Sequence, residues 1–134
     1  DFVCNRLPPP FKRTYPIGLD VEACTLSALE AAWRNASEKH EREHVMPYLY
    51  STPGRFKVVQ LNFNEDLGHL RWTLDTPQDL LLLRRIYRHF NGANDFTWLD
   101  VLRLYREKPR MFDINASVQH KTYLDYEGQK KGTP

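Results

Sequence analysis

One junction between a predicted strand and a predicted helix constrains the fold more than any other feature. Apolar and polar side chains alternate along Leu70–Leu74, a pattern typical of a strand with one buried face. Thr76 suits a helix N-cap and Pro77 suits the first helical position. Asp79 complements the helix dipole, and the predicted helix continues through Leu80–Phe90. A strand that leads directly into a helix is the basic unit of α/β proteins.

Further strands and helices alternate around this junction, which predicts an α/β fold for the whole chain. The predicted strands are Asp1–Asn5, Leu19–Cys24 and Phe56–Phe63, and the predicted helices are Ser27–Ala36, Glu38–Tyr50 and Thr97–Glu107. In the second strand, Leu19, Val21 and Ala23 are expected on the buried face. Ser27 begins a capping-box pattern, and Pro47 is expected to bend the helix that contains it. From Arg110 onward we expect an irregular segment.

Composition and charge exclude several classes of protein. The chain has 134 residues, 41% of them hydrophobic, which is enough to bury a real core in one domain. Lys and Arg number 19 against 17 Asp and Glu, so the balance is less basic than in a dedicated nucleic-acid binder. The longest apolar run, Leu80–Leu83, is too short to span a membrane. We therefore expect neither nucleic acid nor a membrane among the partners.

The first residues of the chain and its two cysteines are relevant to the cellular location of the protein. No signal-peptide pattern precedes the first predicted strand, so we expect a cytoplasmic location. The chain starts with Asp1 rather than Met, within a predicted strand, which suggests part of something longer. Cys4 and Cys24 lie in apolar runs and are expected to be small buried hydrophobes. A reducing compartment fits this interpretation.

The segment from His40 to His44 formally matches the H-E-x-x-H pattern of zinc proteases. In such a helix the two histidines share a face and bind zinc, and Glu41 would act as general base. Charged residues fill the two positions after Glu41, Pro47 follows closely, and no third ligand stands out downstream. A charged, solvated helix face explains the pattern as well, and a zinc hydrolase remains an alternative.

Two other candidate sites are predicted, one at His44 and Tyr48, where a solvated helix face is the structural alternative, and one at Asp75. Helical spacing would put His44 and Tyr48 on one side of the predicted helix Glu38–Tyr50, where they could bind a hydroxylated ligand. Asp75 follows a predicted strand and precedes a helix, at the sheet edge where α/β proteins bind ligands. A carboxylate there suits Mg²⁺, although Asp75 could instead cap the helix together with Thr76.

Several of these segments together resemble a known family. The blocks that carry the resemblance, in chain order, are Ile17–Glu22, Arg42–Val45 with Pro47–Tyr48, His69–Thr73, Leu74–Leu80 and Ile114–Ala116. The chain resembles the carboxyl-terminal half of the spore coat polysaccharide biosynthesis protein F family. Those proteins are cytidylyltransferase-like and are related to the enzymes that make CMP-activated acylneuraminate and 3-deoxy-octulosonate sugars.

The resemblance implies a fold, a reaction and a set of site residues. The fold is the three-layer α/β/α sandwich of the nucleotide-diphospho-sugar transferases, of which this chain would form the carboxyl-terminal portion. In the implied reaction a sugar hydroxyl attacks the α-phosphate of CTP and releases pyrophosphate, while Mg²⁺ neutralises phosphate charge. The resemblance assigns Asp75 as a metal ligand. The implied substrate-binding residues are Asp20, Glu22, Arg42, Glu43, His44, Tyr48 and Arg71.

The chain also departs from the family, because the family's amino-terminal half carries the phosphate-binding loop and a second metal aspartate. No Gly-rich loop followed by a helix occurs in these 134 residues. We therefore expect residues 1–121 to form the acceptor-sugar half of a cytidylyltransferase-like domain that is inactive alone. Residues 122–134 are expected to form a flexible tail. A non-catalytic interaction module that keeps the fold is the main alternative.

Partners follow from the same resemblance. CTP and a sugar acid would bind the complete enzyme, together with the missing amino-terminal half. Half of an α/β sheet leaves strand edges and an apolar face uncovered, which predicts self-association as a homodimer. The aromatic residues expected at that contact are Tyr15, Trp33, Tyr48 and Trp72.

Overall fold

The computed structural model describes residues 1–44 and 46–119, so the predicted tail at 122–134 lies outside the described residues. The chain divides into two compact units, Asp1–Thr73 and Leu74–Pro134. Together they contain helices and a small three-stranded sheet, which confirms a mixed α/β composition. Within the described part, none of the helices has both the length and the apolar character needed to cross a membrane.

The first unit contains the sheet and three helices. Its elements are β1 (Phe2–Cys4), β2 (Glu22–Cys24), α1 (Leu26–Asn35), α2 (Lys39–His44), α3 (Pro47–Tyr50) and β3 (Val58–Gln60). β1 is central, antiparallel to β2 and parallel to β3. Phe2 and Cys4 point from β1 into the core, where they meet Ala28 and Ala32 of α1 and Leu49 of α3. Burial of these apolar side chains attaches the helices to one face of the sheet.

The cysteines occupy different environments. Cys4 is buried, as predicted, whereas Cys24 is only half-buried. In the β1–β2 register Cys4 lies opposite Glu22, and Cys24 lies opposite Phe2. Both thiols are free.

The strands are shorter than predicted. Only Glu22–Cys24 pairs in the segment predicted to begin at Leu19, and Val21, expected on a buried face, is 65% exposed. Ahead of β2 the chain is held by the Asn5 side chain, which donates from Nδ2 to the Leu19 carbonyl at 2.6 Å. The Asn5 Oδ1 atom accepts from the Val21 N–H at 2.9 Å, so a side chain replaces part of the strand pairing. β3 likewise covers only the centre of the predicted segment.

The prediction of a strand at Leu70–Leu74 is wrong. Arg71 forms a single parallel bridge with Ile17, through bonds from Ile17 N to Leu70 O (2.8 Å) and from Trp72 N to Ile17 O (2.7 Å). Pairing stops there because Gly18 has a φ of 105° and turns the chain. A Cβ at Gly18 would lie 2.7 Å from the Trp72 carbonyl oxygen, so this close approach requires glycine.

The helices of the first unit also begin at other residues than predicted. Thr25, not Ser27, is the N-cap of α1, and its hydroxyl accepts from the Ala28 N–H at 3.2 Å. The predicted bent helix Glu38–Tyr50 is two helices, because α2 ends at His44 and Pro47 starts α3. A proline suits the first position of a new helix, where it gives up no hydrogen bond.

The second unit is helical in its described part and follows the sequence closely. It contains α4 (Pro77–His89), α5 (Trp98–Glu107) and the 3₁₀-helix η1 (Pro109–Asn115). Thr76 and Thr97 are the N-caps, as predicted, and each completes a capping box with an Asp three residues later. η1 replaces the irregular segment predicted there, and it packs on α4 and α5.

Candidate functional site

Asp75 is exposed and lies directly before the N-cap of α4, as the sequence predicts for a candidate ligand beside a helix start. It does not follow a strand, because the expected strand is absent. Its backbone N–H donates to Asp79 Oδ2 at 3.1 Å. The N-cap is Thr76, so the capping contacts at this helix start come from Thr76 and Asp79. The role of Asp75 as a metal ligand stays a prediction.

Asp79 is the buried centre of this helix start. Its Oδ2 atom also accepts from the Thr76 N–H at 3.0 Å, and its Oδ1 atom accepts from Asn115 Nδ2 at 2.8 Å. Asp79 is fully buried and Asn115 is 2% exposed. A buried carboxylate is tolerated only where hydrogen bonds replace its lost hydration, and these three donors supply them.

Sequence reasoning gave Asp79 a local helix-start role and missed its contact with Asn115. The spacing of Asp79 from Thr76 is a local signal, which a capping-box pattern reveals. Asn115 lies 36 residues further along the chain and carries no pattern that points back to Asp79. Its position in the block Ile114–Ala116 was the signal available.

In the first unit, Asp20 is paired with an arginine that sequence reasoning did not single out. Arg13 Nη1 donates to Asp20 Oδ1 at 2.5 Å, and Arg13 Nη2 donates to Asp20 Oδ2 at 3.2 Å. This two-point contact fixes the plane of both side chains. Asn5 holds the backbone on either side of Asp20, through Leu19 and Val21. The arrangement presents Asp20 from a segment with a defined conformation.

Glu22 lies near Asp20, and the pKa of its carboxyl group is raised. Desolvation raises the pKa of Glu22, the nearby Asp20 raises it further, and Arg6 opposes both effects. Glu22 is an exposed residue. A carboxyl group with a raised pKa beside another carboxylate is a common feature of binding and catalytic sites.

The structure places the other predicted substrate residues of the first unit in two different settings. Arg71 is buried, with 6% exposure, and its backbone forms the bridge with Ile17 next to the segment that carries Asp20. Glu43 and His44 are exposed at the end of α2. Asp20, Glu22 and Arg71 are thus associated through neighbouring backbone segments, whereas Glu43 and His44 are presented by a separate helix.

Tyr48 and Arg42 make contacts that the sequence did not reveal. The Tyr48 ring packs edge-on to Phe56 with centroids 6.1 Å apart, and the Arg55 guanidinium lies 4.2 Å from the Tyr48 centroid. Tyr48 therefore contributes to the core that carries α3. His44 and Tyr48 belong to different helices, so the prediction that they share one helical face is wrong. Arg42 Nη1 donates to the Trp33 carbonyl at 2.7 Å.

An apolar cavity of about 410 Å³ lies between α1 and α2. Its lining residues are Leu26, Leu29, Glu30, Ala32, Trp33, Ala36, Glu41 and Arg42. Leu26 and Trp33 are 71% and 70% exposed, so large apolar side chains face solvent on α1. The lining is mostly apolar, and Glu30, Glu41 and Arg42 are its charged members.

The zinc interpretation requires a third ligand near His40 and His44. Across residues 1–44 and 46–119, no group of three or more His, Cys, Asp or Glu side chains is arranged to hold a metal ion. The described residues therefore do not build a zinc-protease centre around this helix.

Comparison with known proteins adds to this geometry. No protein-family model matches the chain. A solved cytidylyltransferase from Leptospira borgpetersenii serovar Hardjo-bovis is similar, with a TM-score of 0.74 and 27% identity over 91% of this chain and 48% of the other. The chain has a cytidylyltransferase-like fold. An uncharacterized protein of Methanocaldococcus jannaschii is 38% identical over 113 residues, which are 83% of this chain and 46% of that protein. The chain thus spans about half the length of both proteins.

Proposed function

We propose that this chain is the acceptor-sugar half of a Mg²⁺-dependent cytidylyltransferase that acts in the cytoplasm. The complete enzyme would join CTP and a sugar acid into a CMP-sugar for surface polysaccharide biosynthesis and release pyrophosphate. The observation that carries the proposal is the likeness to the Leptospira cytidylyltransferase, with a TM-score of 0.74 over 91% of this chain. The ordered sequence blocks support the finer assignment to the spore coat polysaccharide biosynthesis protein F family.

Asp75 would hold the Mg²⁺ ion in this proposal. Proteins usually bind Mg²⁺ through very few carboxylates and leave its other positions to water and substrate phosphates. An exposed carboxylate at a fixed helix start fits this pattern. When bound, Mg²⁺ would neutralise charge on the triphosphate and align it for attack. The contribution of this chain is to hold one oxygen ligand in place.

Sugar recognition would use the two groups of polar residues in the first unit. Asp20 and Glu22 offer carboxylate oxygens, which accept hydrogen bonds from sugar hydroxyls. Glu43 and His44 are exposed on α2 and can contact a substrate from solvent. Arg42 donates one N–H to the Trp33 carbonyl. Its guanidinium has further N–H donors that suit the carboxylate of a sugar acid. Arg71 and Tyr48 would act from within the protein, because both are wholly or partly buried.

The uncovered face of the sheet supports a second helical layer in the complete enzyme. Val3 lies between Ala23 and Val59 in register, on the face opposite Phe2 and Cys4. Val59 is 42% exposed, and Ala23 is exposed as well. Parallel strands are normally covered on both faces. Helices from the remainder of the enzyme would cover this row and complete the three-layer α/β/α sandwich.

A homodimer is the second structural part of the proposal, and α1 provides the surface for it. Trp33 is the most exposed of the aromatic residues considered, since Tyr15, Tyr48 and Trp72 are half-buried. Exposed apolar patches of this kind mark interaction sites. We expect light scattering at ~100 μM to give a dimer mass, and Trp33→Asp to give a monomer. A sharp monomer mass for the unchanged protein would exclude this interface.

Pyrophosphate release tests the proposed reaction. We expect the complete enzyme to release pyrophosphate only when CTP, Mg²⁺ and a sugar acid are all present. The isolated 134-residue chain should show no release above background, because it lacks a recognisable phosphate-binding loop. A complete enzyme that is inert with CTP and every sugar acid tried would favour the non-catalytic interaction module. Activity of the isolated chain would contradict the assignment as half of a site.

A further inference from the structure

Two capping boxes begin the long helices of the second unit, and their carboxylates accept different sets of hydrogen bonds. In α5, the Asp100 carboxylate accepts from the Thr97 N–H at 2.9 Å, which is all that an N-cap requires. In α4, the Asp79 carboxylate makes the equivalent bond to Thr76 and also accepts from the N–H of Asp75, one residue earlier. The second bond lies outside the helix, so it orders the segment before α4 rather than the helix itself.

The two capping carboxylates also differ in their surroundings. The Asp100 side chain is 30% exposed and pairs with Arg103 at the surface. Asp79 is fully buried, and Asn115 from the end of η1 holds its second oxygen at 2.8 Å. With both oxygens engaged, the Asp79 carboxylate cannot rotate without breaking bonds that no water would replace. Asn115 thereby holds the Asp79 carboxylate in place, and that carboxylate accepts the hydrogen bond from the backbone N–H of Asp75.

We propose that Asp79 and Asn115 are positioning residues that set the location of the Asp75 carboxylate for its metal. The proposal rests on the proposed function, in which Asp75 is a Mg²⁺ ligand. Residues that orient a metal ligand through hydrogen bonds commonly change metal affinity by about 10-fold or more when they are removed. Each would act through the hydrogen bond to the peptide group of Asp75, and not as a ligand of the metal.

Metal affinity in the complete enzyme tests this role separately from turnover. Mn²⁺ serves as the probe, and electron paramagnetic resonance counts the free ion in the absence of CTP, because the CTP phosphates would themselves bind Mn²⁺. We expect Asp79→Asn and Asn115→Ala to weaken Mn²⁺ binding about 10-fold. Asp100→Asn is the matched control, since it alters the same capping motif away from Asp75, and it should leave the affinity within about twofold of the unchanged enzyme. Deuterium exchange at the Asp75 and Thr76 amides should accelerate in the first two variants only.

The outcomes separate the positioning role from the metal role. Unchanged Mn²⁺ affinity in folded Asn115→Ala would overturn the positioning role, even if Asp79→Asn fails to fold. Equal weakening by Asp100→Asn would also overturn it, because the effect would then reflect helix capping in general. Asp75→Asn is the reference: if it weakens Mn²⁺ binding while the other two variants do not, only the positioning role fails. If Asp75→Asn has no effect, the metal role and the positioning role both fail.

Discussion

Replacement of Asp79 by alanine should destabilise the second unit far more than the equivalent change in α5. The variant removes the acceptor of three N–H donors, on Asp75, Thr76 and Asn115, at 3.1, 3.0 and 2.8 Å. Asn115 is 2% exposed, so water cannot take the place of the lost carboxylate at that donor. Leaving a buried donor such as Asn115 Nδ2 without its acceptor costs about 1–3 kcal/mol. That is a large fraction of the stability of a small domain.

Equilibrium urea unfolding, followed by circular dichroism, measures this loss in free energy. Asp100→Ala is the comparison, because its carboxylate has the same capping function but lies partly in solvent, where water can satisfy the freed donors. We expect the loss for Asp79→Ala to be at least twice that for Asp100→Ala, with similar urea m-values. Equal losses would refute the reasoning, since they would show that burial and the Asn115 contact add nothing to ordinary capping.

Four further predictions concern residues of the candidate site. Asp75→Asn in the complete enzyme should lower kcat more than 10-fold, which corresponds to about 1.4 kcal/mol, and retention of more than a tenth of the activity would exclude the metal role. Glu43→Gln should raise the KM for the sugar more than the KM for CTP. His44→Ala should lower turnover, whereas His40→Ala should leave turnover nearly unchanged. Equal effects of the two histidine variants would support the zinc alternative. Desolvation raises the pKa of Glu22 in the folded state. Between the unfolded and the folded pKa values, the folded state therefore binds more protons than the unfolded state. The free energy of unfolding consequently falls as the pH rises through this window. Glu22→Gln should therefore raise the Tm more at pH 7 than at pH 4, and a pH-independent change would contradict this account.

The sequence by itself determined the two α-helices of the second unit. Thr76 and Thr97 were identified as N-caps, and both cap their helices. Capping contacts span only three residues, so the information that specifies them is local and readable from the chain. The mixed α/β composition followed in the same way from the alternation of strand and helix patterns.

The extent of each strand was decided by tertiary structure. The patterns at Leu19–Cys24 and Leu70–Leu74 satisfy the strand period, yet one pairs only from Glu22 and the other forms only the bridge at Arg71. A strand needs a partner in register, and the partner is set by distant residues. Here the side chain of Asn5 and the turn at Gly18 end the pairing.

The candidate site also contains both local features that the sequence predicts and long-range contacts that it does not. The sequence placed Asp75 beside a helix start, because its neighbours carry the local capping signal. It could not reveal that Asn115 reaches Asp79 from 36 residues away, that Arg13 pairs with Asp20, or that Tyr48 packs into the core. Each of these contacts joins segments that only the folded chain brings together. Local hydrogen bonding is encoded in short sequence patterns, whereas burial and long-range pairing depend on the whole fold. The electrostatics of the candidate site depend on burial and therefore could not be predicted from the sequence.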